Sequence, residues 1–166
     1  MYAESVDGIW RPSCTFVSEL INIQSIPTPY DAARFVSLIP MKRSERGPSS
    51  GSERAEIWHR FSQFLTVRNG DFEDHCLLLC SLLLGFNLDA YVVIGASTDG
   101  AHGWVMTITK PLGKKGGDTT YQFWESLTGH RFDSKDARAA SLYKRIGCIF
   151  NNRSFYANIQ PLDGIY

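Results

Sequence analysis

The sequence NGDFEDHCLLLCSLLLG, residues 69–85, predicts a buried helix with a defined start and end. Asp71 is placed to cap the N-terminus, because its carboxylate can accept backbone N–H groups that the first turn leaves unpaired. Gly85 stands where a C-cap glycine belongs. From Cys76 to Leu84 only one side chain is polar, so the helix is apolar on nearly every side. Such a helix is expected to run through the middle of a domain.

Three strands are predicted after this helix. Residues 88–95 form a β-branched run typical of a buried strand, and residues 101–109 form a second strand with His102 near its start. The third, residues 119–127, includes Glu125 and follows a tip rich in glycine and lysine. If the last two strands pair antiparallel, both side chains lie at the same end of the ladder and share a face when the register permits. The alternative is that each simply faces solvent.

Hydrophobic spacing predicts three further helices and one further strand. Asp31 is expected to cap the first of these helices and Ser52 the second, which is amphipathic. Between them, about residues 41–51, a serine cluster with charged residues, proline and glycine indicates a mobile surface loop. The helices are predicted at residues 31–39, 53–67 and 136–143, and the strand at 146–150.

The order of these motifs resembles the ground plan of transglutaminase-like and papain-like cysteine hydrolases. In such enzymes a thiolate at a helix N-terminus pairs with a His on an adjoining strand, and an acid on the next strand orients that His. The transglutaminase-like pattern Gly-x-Cys places the cysteine two residues after the glycine. Here Gly70 is followed in that position by Phe72, while His102 matches the His of a His-x-Trp motif and Glu125 stands where the family usually carries Asp. The resemblance therefore implies a retained scaffold that has lost its nucleophile.

Four sequence segments resemble the transglutaminase-like domains of centrosomal and ciliary proteins. The coiled-coil and C2 domain proteins of this group carry a more distant version of the domain. The resemblance runs from about Asp31 to the C-terminus, so residues 31–166 are expected to form a single transglutaminase-like domain. Residues 1–30 are expected to be an N-terminal extension that could pack on the core. The implied fold is α+β, with a buried central helix packed on an antiparallel sheet. In that family the domain follows C2-type domains, which implies a fragment of a longer protein. The four segments are residues 70–75, 78–86, 123–131 and 146–152.

The function implied by this resemblance is a catalytically inactive, pseudo-peptidase domain that acts as a protein or peptide interaction module. A phenyl ring cannot ionise, attack a carbonyl or hold an acyl group. Centriolar or ciliary proteins are the implied partners, and the cytoplasmic side of the centrosome, centriole or ciliary base is the implied location. An extended peptide would suit a groove in the former active-site cleft. The expected lining is Phe72, His102, Trp104, Trp124 and Glu125.

The alternative is an active cysteine hydrolase or acyltransferase with a displaced nucleophile at Cys76. That residue lies one turn beyond Phe72, roughly 6 Å along the helix axis. Its ionisation would be opposed by desolvation, because it is flanked by leucines. A zinc site that used His75, Cys76, Cys80 and His102 is not favoured, since the spacing fits no common zinc module.

The composition fits one neutral globular domain and implies no cofactor. The chain has 166 residues with 43% hydrophobic content, enough for one core. Seventeen basic residues balance 17 acidic ones, which gives no electrostatic footprint for nucleic acid or anionic lipid. No apolar run is long enough to span a bilayer, no signal peptide is visible, and the four cysteines are interpreted as reduced thiols of a cytosolic protein.

Overall fold

The structure is a computed structural model that describes residues 1–42, 57–110 and 118–159. Within those ranges the chain forms an α+β fold, as the sequence predicts. The α-helices are α1 (Pro29–Ser37), α2 (Phe61–Val67), α3 (Phe72–Gly85) and α4 (Ala137–Leu142). The strands are β1 (Tyr2–Ser5), β2 (Trp10–Pro12), β3 (Ile57–Trp58), β4 (Asp89–Ser97), β5 (Gly100–Thr109), β6 (Thr120–Trp124), β7 (Arg131–Asp133), β8 (Tyr143–Phe150) and β9 (Phe155–Ala157).

Six of the strands form an antiparallel sheet in the order β7-β6-β5-β4-β8-β9. Its long central pair is β4 with β5, in which Gly95 lies opposite His102. α3 packs across this pair, and a Cβ placed on Gly103 would lie only 3.2 Å from the sulfur of Cys76. The glycine therefore lets the helix approach β5 closely. The predicted arrangement, a buried central helix on an antiparallel sheet, is confirmed.

The start of α3 is confirmed, whereas its end differs from the prediction. The Asp71 carboxylate accepts the backbone N–H of Asp74 at 3.2 Å, as an N-cap should. Gly85 is the last helical residue rather than the C-cap, and Asn87 supplies the left-handed conformation with φ of 59°. Gly85 is required for another reason, because a Cβ there would collide with the backbone carbonyl of Leu20.

Residues before α1 pack on the same core as α3. β1 pairs antiparallel with β2 and parallel with β3, which makes a separate three-stranded sheet. Phe16 and Val17 are 2% and 3% exposed, and the backbone N–H of Ser18 donates to the Ser81 hydroxyl in the middle of α3. The only polar side chain of the apolar run from Cys76 to Leu84 thus anchors the N-terminal segment.

Two predicted helices have the wrong bounds. α1 begins two residues before Asp31, because Thr28 is the N-cap and Pro29 fits the first helical turn. Of the helix predicted over 53–67, the described residues 57–67 form a helix only in α2, because Ile57–Trp58 forms a strand that pairs with β1. The Trp58 ring packs at 5.5 Å from Phe16, so tertiary packing overrides the helical spacing. Ser52, the predicted cap, lies outside the described residues.

The remaining predicted elements are close to the observed ones. β4, β5, β6, α4 and β8 occur where they are predicted, with ends shifted by up to three residues. β7 and β9 have three residues each and were not predicted, because so short a run carries no clear period. Of the predicted loops, residues 43–51 and 111–117 lie outside the described ranges. Met41 forms a parallel bridge with Gly70.

The two faces of the large sheet carry separate clusters. The first face, under α3, holds Val92, Val105 and Trp124. The second face holds a cluster that includes Trp104 and Tyr143, and its only helical cover in the described chain is α4, a helix of six residues. Apolar side chains packed on the second face remain partly buried: Tyr91, Ile108, Phe132, Leu142, Ile146 and Ile149.

Candidate functional site

Phe72 occupies the first position of α3, where a cysteine hydrolase would hold its nucleophile. The helix turn beneath it is fixed by the Asp71 cap and by close contact with β5. Its ring lies 5.9 Å from the imidazole of His102, centroid to centroid, at an interplanar angle of 42°. Phe72 is half-buried. The ring is thus the group that His102 faces at the helix end.

His102 and Glu125 form the predicted pair. The His102 Nε2 lies 2.8 Å from the Glu125 Oε2, and this confirms that the two side chains are within hydrogen-bonding distance at one end of the β5–β6 hairpin. A carboxylate oxygen accepts, so Nε2 is the nitrogen that donates. None of the described residues bonds to the other ring nitrogen, Nδ1.

Glu125 is held by more than His102. Its Oε2 also accepts from the Tyr143 hydroxyl at 3.4 Å, and its backbone carbonyl accepts from the N–H of Gly129 in a tight turn. Burial raises the pKa of Tyr143 far above its ordinary range, with the nearby Glu125 charge acting in the same direction. Tyr143 therefore remains a protonated donor. No sequence pattern predicts the bond between Tyr143 and Glu125, because the approach of Tyr143 depends on how β8 joins the sheet.

The tryptophans predicted to line a groove have different positions. Trp104 shares the second face with His102, and their rings are stacked at 6.3 Å. Trp124 lies on the first face, where its indole N–H donates to the Thr107 hydroxyl. Trp124 pairs across the ladder with Val105, which is adjacent to Trp104 on β5. Adjacent residues on a strand point to opposite faces, so the two indoles lie on opposite sides of the sheet. Both indoles are buried, at 0% and 2% exposure, so the solvent-accessible part of the site consists of Phe72 and His102.

Cys76 is completely buried one turn below Phe72. Its sulfur lies 3.3 Å from the hydroxyl of Ser126, and no part of the residue is exposed. Burial raises the pKa of the Cys76 thiol well above its ordinary value, the Ser126 bond opposes this, and the charges of Glu125 and Glu73 raise it further. Burial therefore favours the thiol form of Cys76 over the thiolate that a nucleophile requires.

The residues considered as zinc ligands do not form a metal-binding cluster in the described part of the chain. In residues 1–42, 57–110 and 118–159 no group of three or more His, Cys, Asp or Glu side chains is arranged to hold a metal ion. His75, considered for zinc, instead packs against the Phe64 ring of α2 at 5.0 Å and contacts the Asp71 carbonyl through Nδ1 at 2.6 Å. Across the same ranges, no helix is long and apolar enough to cross a membrane.

Residues 56–165 match the family described as the CEP76 peptidase-like domain. The chain is 42% identical over 178 aligned residues to the centrosomal protein of 76 kDa from Xenopus tropicalis and 39% identical to that from Homo sapiens. These alignments cover 99% of this chain, so the similarity extends over residues 1–30, which the sequence resemblance had left out. The human protein CC2D2B is 30% identical over 77% of the chain. The chain spans about a quarter of the length of the 76 kDa relatives, at 25% and 26%.

Among solved structures, the fold is similar to that of Legionella pneumophila LapG, with a TM-score of 0.57. The superposition covers 90% of this chain and 75% of LapG, at 14% sequence identity. LapG has a transglutaminase-like, papain-like fold, and the predicted fold class is therefore confirmed.

Proposed function

The chain belongs to the CEP76 peptidase-like domain family, and on that premise we propose that it is a catalytically inactive interaction module of a centrosomal protein. Its partners are centriolar or ciliary proteins, and its location is the centrosome or the base of the cilium. The names of the relatives support the location. The single observation that supports inactivity is the aromatic ring of Phe72 at the helix N-terminus, 5.9 Å from His102.

Phe72 removes the one group that cysteine hydrolysis cannot replace. The His102–Glu125 pair can still accept and donate a proton, but proton transfer needs a nucleophile within reach to be productive. The phenyl ring offers no lone pair and fills the space in which a thiolate would stand. The retained dyad is then a remnant of the ancestral site that now shapes the end of the hairpin.

Cys76 does not supply the missing nucleophile. A thiolate would need both access to substrate and a favourable environment, and this thiol has neither, because it is 0% exposed and its pKa is raised by burial. We expect no rapid, stoichiometric labelling of Cys76 by iodoacetamide in the folded protein at neutral pH. Peptide mass spectrometry would measure this labelling, and stoichiometric modification within minutes would contradict an inactive domain.

The sharpest test of the inherited geometry is to return a cysteine to the helix end. In Phe72→Cys, unpaired N–H groups and the helix dipole favour the thiolate, and His102 lies close enough to act as a base. Acidic residues in the same turn oppose this, since like charges raise the pKa of a thiol. We expect the new thiol to react with iodoacetamide about tenfold faster than an exposed free cysteine, as a pKa lowered by about one unit would produce.

The control is the same variant with His102→Ala. Loss of the base should return the alkylation rate to that of an ordinary thiol, while the fold, measured by circular dichroism, stays unchanged. A rate that does not respond to His102→Ala would mean that no latent Cys–His pair exists, and the inactive-hydrolase proposal would lose its support. Peptide hydrolysis is not expected to return, because oxyanion donors need not have survived.

The former cleft is the proposed docking region for an extended peptide. Phe72 and His102 offer an aromatic surface beside an open ring nitrogen, and such surfaces anchor partner side chains. We expect Phe72→Asp to reduce the centrosomal signal of the fluorescently tagged chain in cells. Ile21→Asp, at a residue that is 65% exposed and lies beside Gly85 at the opposite end of α3, is the matched control. Equal recruitment of both variants would contradict docking at this site.

A further inference from the structure

The second face of the large sheet carries a groove that is separate from the His102 site. It lies between β6, the turn from β7 to α4, and β8, and has a volume of about 410 Å³. α4 is too short to cover the whole face, so the sheet remains open beside it. The groove is lined by Tyr121, Phe123, Ser134, Lys135, Asp136, Ala140 and Ile146.

The floor of the groove is apolar and firmly packed. Phe123 is 4% exposed, and its ring meets Tyr143 edge-on at 5.4 Å. Tyr121 lies two residues earlier on β6, so strand alternation places it on the same face, where it is 41% exposed. Ile146 closes the opposite side from β8. A floor of this kind can accept one large apolar side chain without rearranging.

Two lysines provide a positive rim. Lys135 lines the groove directly, and the Lys144 ammonium lies 3.5 Å from the backbone carbonyl of Ala140, which also lines it. Neither lysine has a carboxylate partner within hydrogen-bonding distance among the described residues. Both positive charges therefore remain available to a partner.

The acidic residues of this segment are already engaged. Asp136 lines the groove, but its carboxylate forms an ion pair with Arg138, whose Nη2 lies 2.7 Å from Oδ2. The hydrogen bonds from Arg138 lower the pKa of Asp136. The Asp133 carboxylate accepts the backbone N–H of Lys135 at 3.0 Å, which fixes the turn. The chain as a whole is neutral, so the positive rim is a local feature.

We propose that this groove binds a short segment of a partner protein in which one large apolar side chain is flanked on both sides by carboxylates. The apolar side chain enters between Phe123 and Ile146, and the carboxylates meet Lys135 and Lys144. Recognition of this kind combines a buried anchor with charges that orient it. The site lies away from Phe72 and holds whether or not the domain is inactive, so the two proposals fail independently.

The test uses the ¹⁵N-labelled chain and a synthetic peptide with a single phenylalanine flanked on each side by two glutamates. We expect amide shifts at the groove residues in NMR titrations, and weaker binding as salt rises from about 50 to 300 mM. The double variant K135E/K144E should bind about tenfold more weakly, since it replaces two favourable ion pairs by like charges. Both lysines are exposed, so the variant should keep the melting temperature of the parent chain.

Two controls decide the outcome. Lys42→Glu makes the same charge change at an exposed position elsewhere and should leave the affinity unchanged. A second peptide, with its four glutamates replaced by lysines, should bind at least about tenfold more weakly to the parent chain. Equal affinity for both peptides, or amide shifts centred on Phe72 and His102 rather than on the groove, would overturn the proposal.

Discussion

Two histidine–carboxylate pairs lie near the N-terminal end of α3, and they differ in what surrounds them. His102 meets Glu125 at 2.8 Å in the candidate site, and His59 meets Asp74 at the same distance beside the helix. The imidazoles are similarly exposed, at 16% and 19% of the side chain. The Asp74 side chain is 1% exposed, against 7% for Glu125. The distance between the two charged groups therefore does not distinguish the pair of the candidate site from the pair beside the helix.

The difference lies in what each carboxylate binds. Asp74 accepts from both the backbone N–H and the ring of His59, and its own N–H is bound by the helix cap Asp71. It ties the segment between β3 and α2 to the start of α3. Glu125 accepts from the side chains of His102 and Tyr143 and from the backbone N–H of Leu127, two residues along the chain. Each imidazole keeps one nitrogen without a hydrogen-bond partner among the described residues, so the pairs differ in the backbone that the carboxylate holds. Asp74 holds the backbone of His59 from a different segment, whereas Glu125 holds only its own turn.

The largest expected effect comes from Asp74→Ala. This change removes a buried charge and leaves the backbone N–H of His59 without an acceptor, so we expect a loss of about 3 kcal/mol in the free energy of unfolding. Urea denaturation measures it. Glu125→Ala is the matched control, with an expected loss of about 1.5 kcal/mol. Equal losses would break the distinction between the two pairs.

A smaller effect is expected from the coupling between His102 and Glu125. In a double-mutant cycle of His102→Gln and Glu125→Gln, the interaction energy should be below about 1 kcal/mol, because His102 is accessible to water that can replace its partner. Urea denaturation of the four proteins gives the value. A coupling as large as the loss in Asp74→Ala would show that this pair also holds the fold together.

The smallest effect is the pH dependence of the His59 contribution. The hydrogen bond to Asp74 raises the pKa of His59 above its ordinary value of 6.5, burial opposes this, and the charges of Asp74 and Asp71 add to it. Because the folded pKa is the higher one, this stabilisation is fully present below pH 6.5 and is lost as pH rises through the folded value.

The measurement compares the parent chain with His59→Gln by urea denaturation between about pH 6 and pH 8.5. The stability difference should shrink as pH rises, and its dependence on pH should be weaker in an Asp74→Asn background, where the Asp71 charge still raises the pKa of His59. A difference that grows with pH would show that His59 is stabilised in its neutral form, contrary to the bonding observed.

Sequence reasoning succeeded where local chemistry dictates the structure. The acidic cap at Asp71 and the apolar run after Cys76 define α3 with no reference to the rest of the chain. The pairing of His102 with Glu125 was predictable because the two strands of a hairpin are neighbours and the side chains along each strand alternate between the two faces of the sheet. Trp124 shows where a motif alone misleads. It was predicted to line the groove because it precedes Glu125 in the sequence, but the pleat of β6 directs its side chain to the face under α3.

The sequence by itself determined the central helix, the order of strands that follows it and the absence of a thiol at position 72. Only the tertiary structure decided that His59 binds Asp74, that Tyr143 reaches Glu125, and that Trp58 lies in a strand rather than a helix. The physical reason is range. Caps and hydrophobic periods depend on residues within a few positions, whereas these contacts join segments that are distant in the chain and meet only when the sheet and α3 have packed.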